Sequence, residues 1–311
     1  FDRLNLIARE FNVENNLIDS SGDLIIPLGA NKFIDNVLNN LTDLSNENDE
    51  YKTVNLIKER KERLTTNNFI MGSSFSINYN SQKSIVDENF FQLRWKLTWT
   101  GSLLSQVLKF LNKEKNDLGQ YEIGGIAHSQ YVKTEIDYIK HWQIKKNNIL
   151  AIRFFSGIAI PFGNANNIPF SRSYFSGGAN DNRAWRAYSL GPGISKNINE
   201  FNEANFKLSL NFEYRFKILG KMNGALFVDG GNIWNVLDNI EDENSRFNSF
   251  KDLREIAIGS GFGLRYDFDF FVFRLDTGFK TYNPSLENKD RWWSEYTLNR
   301  AVFNIGINYP F

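Results

Sequence analysis

The chain has no cysteine in 311 residues, which removes disulfide scaffolds, thiol nucleophiles and thiolate metal sites at once. That absence also suits an oxidising export route. Net charge is missing too, because 36 basic residues balance 36 acidic ones, so neither a nucleic-acid partner nor a solvating acidic tail is indicated. No window holds the roughly 18 consecutive apolar residues of a membrane-spanning helix, which excludes a helical membrane protein. The chain opens without Met and without a charged-then-apolar leader, and is read as a mature or truncated product. Only two histidines occur, His128 and His141, and their spacing suits no metal. Gly259-Ser-Gly-Phe-Gly263 lacks the strand-turn-helix setting of a nucleotide loop. No catalytic constellation, cofactor site or metal site is expected.

What is present is an aromatic excess, with 28 Phe, 12 Tyr and 7 Trp in a chain whose mean hydropathy is negative. Strands that show lipid only their alternate residues produce this combination. From Asn67 onward the dominant period is two. Phe206, Leu208, Leu210, Phe212, Tyr214, Phe216 and Ile218 share one face, and Lys207, Ser209, Asn211, Glu213, Arg215 and Lys217 the other. The final residues repeat the pattern, with Phe303, Ile305, Ile307, Tyr309 and Phe311 opposite Asn304, Gly306, Asn308 and Pro310, so the chain is expected to end inside a strand. Phe91 to Trp99 and Phe271 to Phe279 alternate likewise, and segments near 67–80, 127–144, 147–162, 223–234 and 254–268 bring the number to about nine strands of about 10–15 residues. A bilayer crossing takes roughly 9–11 tilted residues, against about 5–6 in an ordinary soluble strand. The expected fold is an all-β, transmembrane antiparallel β-barrel, with a soluble β-sandwich as the alternative.

Residues 1–66 form a separate N-terminal segment. Leu4 to Phe11 and Asp23 to Leu28 are candidate strands, Phe33, Ile34, Val37, Leu38, Leu41 and Leu44 recur at helical spacing, and the polar stretch Asn46 to Arg63 suits a loop or an exposed helix. Within 67–311, long insertions near 163–204 and 235–253 interrupt the hairpins. The first holds Tyr174-Phe-Ser-Gly-Gly-Ala-Asn-Asp-Asn-Arg-Ala-Trp-Arg-Ala-Tyr-Ser-Leu-Gly-Pro-Gly193, whose glycines and aromatics around Arg183 read as a folded loop.

That segment resembles the sixth extracellular loop of the BamA/TamA-like outer-membrane assembly and translocation superfamily. Arg183 matches the family's tip arginine, Ala184 stands for its glycine and Trp185 for its Phe/Tyr, while Gly177, Gly178, Gly191 and Pro192 match the flanks. Phe227-Val-Asp-Gly-Gly-Asn-Ile-Trp234 resembles the family's Val-Asp-x-Gly-x-x-Trp strand, whose aspartate faces the lumen and holds the loop arginine. Asn304-Ile-Gly-Ile-Asn-Tyr-Pro-Phe311 resembles its C-terminal strand. A desolvated arginine needs a carboxylate; Asp229 is the first candidate and Glu213 the second. Gly259, Gly261 and Gly263 lack side chains on the same face, leaving room for the loop or a close backbone approach.

The resemblance implies a non-enzymatic protein of the bacterial outer membrane. Its partners would be outer-membrane lipid, client outer-membrane proteins and periplasmic or lipoprotein accessory subunits. Family barrels have sixteen strands, so this chain is expected to supply the C-terminal portion of one, with Asn299 to Phe311 on one side of a weakly paired seam. The Arg-Ala-Trp tip and Tyr-Pro-Phe end point toward a TamA-like lipoprotein branch. A passive pore, a structural barrel subunit of an envelope complex and a two-partner secretion pore remain open alternatives.

Overall fold

A computed structural model describes residues 2–11, 15–44, 48–84, 87–195, 202–240 and 242–311. The chain divides into two compact units, Phe1–Asn67 and Asn68–Phe311.

The first unit is helical: α1 (Asp2–Glu10), α2 (Leu28–Leu38) and α3 (Asp49–Thr65). The segment Leu4 to Phe11, a candidate strand by sequence, lies largely in α1 instead. The reason is its periodicity, since Leu4, Ile7 and Ala8 fall on one helical face and are buried there. They join Leu17, Leu24, Phe33, Ile34, Val37, Leu44 and Val54 in a single apolar core. Of the second candidate strand, Asp23 to Leu28, only an isolated bridge between Ile18 and Leu24 remains, and Leu28 opens α2. Asp49 and Glu50 in the first turn of α3 complement its dipole.

The second unit is built on one antiparallel sheet of nine strands: β1 (Gly72–Asn80), β2 (Phe91–Thr100), β5 (Tyr131–Lys145), β6 (Asn148–Pro161), β7 (Phe206–Leu219), β8 (Met222–Trp234), β9 (Ala257–Asp267), β10 (Val272–Tyr282) and β11 (Val302–Ile307). A small hairpin, β3 (Glu122–Ile123) and β4 (Ile126–Ala127), and the helix α4 (Ser102–Phe110) lie between β2 and β5. Each sheet strand pairs with its sequence neighbour in the sheet, and the sheet is open, with β1 and β11 as its edges.

The strands join by short turns at one end: 81–90, 146–147, 220–221 and 268–271. Asn147 (φ 64°), Gly220 (φ 55°) and Asp269 (φ 72°) supply the left-handed residues that tight hairpins need. At the other end the connections are long, at 101–130, 162–205, 235–256 and 283–301.

Burial in this sheet is inverted relative to a water-soluble one. Along β7, Ser209, Asn211, Glu213 and Arg215 are buried, whereas Leu210 and Phe212 are exposed. β8 follows suit, with Phe227 and Asp229 buried and Leu226 and Val228 exposed.

One sequence expectation fails at the C-terminus. Phe303, Ile305 and Ile307 continue the exposed apolar face, but β11 stops at Ile307 and Asn308 turns left-handed at φ 63°. Tyr309 and Phe311 then stack on the guanidinium of Arg215, at 4.2 and 5.6 Å, and the Phe311 carbonyl accepts from Arg215 Nη2 at 2.9 Å. Arg215 belongs to the buried polar face of β7, so these two aromatics leave the apolar face to which alternation assigned them.

Candidate functional site

The described residues of the loop 163–204 are tied to the polar face of the sheet at several points. Two isolated bridges, Tyr174 with Ala204 and Ser176 with Leu190, hold its outgoing and returning legs. Gly177 (φ 93°) and Gly178 (φ 99°) allow the turn that follows, and the Gly177 N–H donates to Asp181 Oδ2 at 2.7 Å. The Gly178 N–H donates to the Trp185 carbonyl at 2.8 Å, closing the tip. On the return leg, Gly191 (φ 77°) lies so close to Asn232 and Ile233 that a Cβ would collide with both. Pro192 follows, its carbonyl accepting from Ser195 Oγ at 2.6 Å, and the Gly193 N–H donates to the Ile233 carbonyl at 2.8 Å.

Arg183 sits at the tip and is fully buried. Its Nε and Nη2 donate to the two carboxylate oxygens of Asp229 at 2.8 and 2.9 Å, and its backbone N–H donates to the same group at 3.0 Å. Nη1 donates to Glu213. The guanidinium carbon Cζ lies 3.6 Å from the centre of the Phe227 ring, a desolvated cation–π contact. Both carboxylates foreseen from the sequence are therefore engaged, Asp229 in the bidentate fork that a planar guanidinium suits.

Sequence reasoning missed the rest of the network. Arg265 donates to Asp276 at 2.6 Å and to Glu213 at 3.0 Å, and Arg215 donates to Glu213 at 2.8 Å. Asp276 also lies 3.8 Å from Arg183. Asn211 bridges the Asp229 carboxylate and the Asp181 carbonyl at 2.9 and 2.8 Å, and Asn304 of β11 donates to the Arg183 carbonyl at 2.9 Å. Arg274 grips the carbonyl of Ala179 and the side chain of Asn180. All these residues occupy the polar phase of their strands, which was the available signal. Which of them meet depends on register.

Glycine provides the space. Asp229 pairs with Gly259, and Gly261 with both Phe227 and Gly278. A Cβ at Gly259 would strike Asn182 and Ala184, and one at Gly278 would strike the Arg183 carbonyl. Residues 182–184 therefore lie in a trough that side chains would fill. Ala184, which stands where the family motif has glycine, is buried with its Cβ toward Gly259 and is not among the residues of positive φ. The methyl replaces nothing that the backbone needs. Trp185 is buried with Ala184, Leu190 and Ala257. Gly306 faces Arg274, whose guanidinium occupies the space a Cβ would take.

The histidines do different things. His128 precedes β5 and hydrogen-bonds Ser105 and Asn164, whereas His141 contacts Arg215 and stacks on Phe90. No group of three His, Asp or Glu side chains placed to hold a metal occurs among the described residues.

Strands with an apolar outer face and a buried, charged inner face, bearing a long loop folded onto that inner face, define the membrane-spanning sheet of a β-barrel protein. Residues 35–311 match the Omp85 superfamily domain. The chain belongs to the Omp85 superfamily and is a bacterial outer-membrane protein. Among solved structures it is similar to BamA from Haemophilus ducreyi lacking POTRA domains 1–3. The identity is 13% and the TM-score 0.50, over 76% of this chain and 41% of that one. The likeness is one of fold, and the chain spans about two fifths of that structure's length. No curated protein matches the chain.

Proposed function

We propose that this chain is the C-terminal portion of a barrel that inserts or translocates outer-membrane proteins without covalent chemistry. The barrel closes through strands outside this chain, sixteen in all. The observation that carries the reading is the pairing of a locked loop with an unpaired strand edge. Arg183, held by Asp229 and Glu213, fixes the loop inside the lumen, and Trp185, Gly177, Gly178, Gly191 and Pro192 shape it. A loop fixed there blocks free flow, which an open passive pore has no use for.

β11 has only six residues, is paired among the described residues with β10 alone, and is anchored to the loop through Asn304. Its free backbone groups form a template for an incoming strand. Phe303, Ile305, Gly306 and Ile307 present that edge, while Tyr309 and Phe311, clamped on Arg215, hold the tail away from it. Client outer-membrane proteins are the substrates, and periplasmic or lipoprotein subunits deliver them.

The test uses the absence of cysteine. In the intact protein, with any cysteine outside this chain replaced, Ile305→Cys is paired with a cysteine on the strand that closes the barrel. Oxidation is expected to stop client insertion and reduction to restore it. Unimpaired insertion with the disulfide formed would mean a passive pore or a structural barrel.

A further inference from the structure

The connection between β2 and β5 carries an apolar stripe that the fold leaves uncovered. Gly101 (φ 77°) turns the chain out of β2, in space too tight for a Cβ because of the Ser129 carbonyl, and α4 starts at once. One side of α4 is fixed to the loop end of the sheet. Leu108 is buried, and Ser105 Oγ donates to Gln130 Oε1 at 2.8 Å and lies 2.8 Å from His128 Nε2. With that side pinned, the helix cannot rotate to hide the rest.

Leu103, Val107, Phe110 and Leu111 follow at the i, i+4, i+7, i+8 spacing of one helical stripe. They are 64%, 52%, 86% and 58% exposed. Lys109 lies to the other side, and Lys113 and Lys115 follow the helix. These three lysines outnumber the neighbouring acids, Glu114 and Asp117, by one.

The stripe also continues a surface already assigned to lipid. Trp99 stands on the apolar face of β2, four residues before Leu103, and is exposed. The Gly101 N–H donates to the carbonyl of Met71, another exposed apolar residue, at 2.9 Å. Aromatic and apolar side chains at strand ends form the interfacial girdle of outer-membrane barrels, and their long connections lie on the outer side.

We propose that α4 is an interfacial helix that lies in the outer leaflet. Leu103, Val107, Phe110 and Leu111 enter the boundary between headgroups and acyl chains, and Lys109, Lys113 and Lys115 meet lipid phosphates. An apolar face with basic residues beside it is the composition of helices that bind at that depth. The helix thus ties the β2–β5 connection to the membrane plane, independently of the loop 163–204.

The experiment again starts from the intact protein with any cysteine outside this chain replaced. Single variants Val107→Cys, Phe110→Cys and Lys109→Cys of the intact protein are labelled with an environment-sensitive fluorophore. They are then reconstituted into phosphatidylcholine–phosphatidylglycerol vesicles, with folding confirmed by heat-modifiable gel mobility. Lipid carrying a nitroxide at the top of its acyl chain, below the headgroup, is expected to quench the labels at 107 and 110 at least about threefold more than the label at 109. Aqueous iodide should give the reverse order. Equal iodide quenching at all three positions would overturn the proposal by placing the stripe in water. Protection of 107 and 110 from both quenchers would overturn it by showing that protein covers the stripe. Phe110 is so exposed that its replacement does not threaten folding, and its readings alone decide the matter.

Discussion

In the helical unit, Phe33, Val37 and Leu44 are sealed from solvent while Lys52, Lys58 and Glu62 face outward; in the sheet unit, Phe212, Leu226 and Ile305 face outward while Arg183, Glu213, Asp229 and Arg265 are sealed. The same residue types occupy opposite places because the two units answer to different solvents. Water drives apolar surface inward, which organises the core of α1, α2 and α3. Lipid is as apolar as leucine and offers no such drive. It demands instead that backbone groups pair internally, as strands do, and it leaves charges only the inner face. The buried charges there must then pair with one another, and four arginines lie within 4 Å of Glu213, Asp229 or Asp276.

The contrast is most exposed to test at Arg183. Arg183→Ala takes from Asp229 the guanidinium that grips it and from Glu213 one of three arginines, and the loss is expected to reach about 3–5 kcal/mol, read from urea unfolding of the protein in vesicles. Arg183→Lys should recover only part of it, because a single ammonium cannot form the fork. An unchanged midpoint for the alanine variant would put this cluster on a par with solvated pairs such as Lys52–Asp49, worth about 0–1 kcal/mol.

The counterpart in the helical unit is Phe33→Ala, expected to cost about 3–5 kcal/mol by leaving a cavity in an apolar core. Limited proteolysis of the intact protein should then show faster cleavage within 1–67 and unchanged cleavage within the sheet. On the outward face, Phe212→Arg near the middle of β7 is expected to cost about 2–4 kcal/mol in vesicles, whereas Phe212→Leu costs little. If the arginine were tolerated, that face would border water and the inversion would be false.

Smaller effects sharpen the boundary. Asn304→Ala removes the donor to the Arg183 carbonyl, for a loss of about 1 kcal/mol and faster amide exchange in 302–307. At the short-turn end, Asp87 stands in water and belongs to neither core. The N–H groups of Lys83 and Asn89 point at its carboxyl and hold it below the usual carboxylate range. A depressed folded value means that the stabilisation is present above the ordinary aspartate value and is lost as pH falls through the depressed one. Asp87→Asn should flatten that slight acid-side change, and leave the neutral-pH stability nearly as it was.

Much of the sheet was legible because alternation is local. Each of Phe206 to Ile218 declares its face by parity alone, and a register shift beside each of the two-residue turns at 146–147 and 220–221 brings odd residues opposite odd ones. The helical unit was less so, since Leu4 to Phe11 carries too few apolar residues to separate one period from the other until Phe33 and Val54 supply the facing surface. Tyr309 and Phe311 misled for a different reason. Parity places them outward, but Asn308 reverses the backbone and Arg215, far away in sequence, attracts both rings.

By itself the sequence determined which faces meet lipid, that a loop arginine would need carboxylates, and that Asp229 and Glu213 were candidates, because period, charge and motif are properties of neighbouring residues. Tertiary structure decided the rest. It brought Glu213, 30 residues from Arg183, Asp229, 46 away, and Asn304, 121 away, to one guanidinium and its carbonyl. It also set Gly259 and Gly278 beneath the loop, where a side chain would collide. Those meetings depend on strand register, and register is fixed by the pairing of whole strands, which no residue encodes alone.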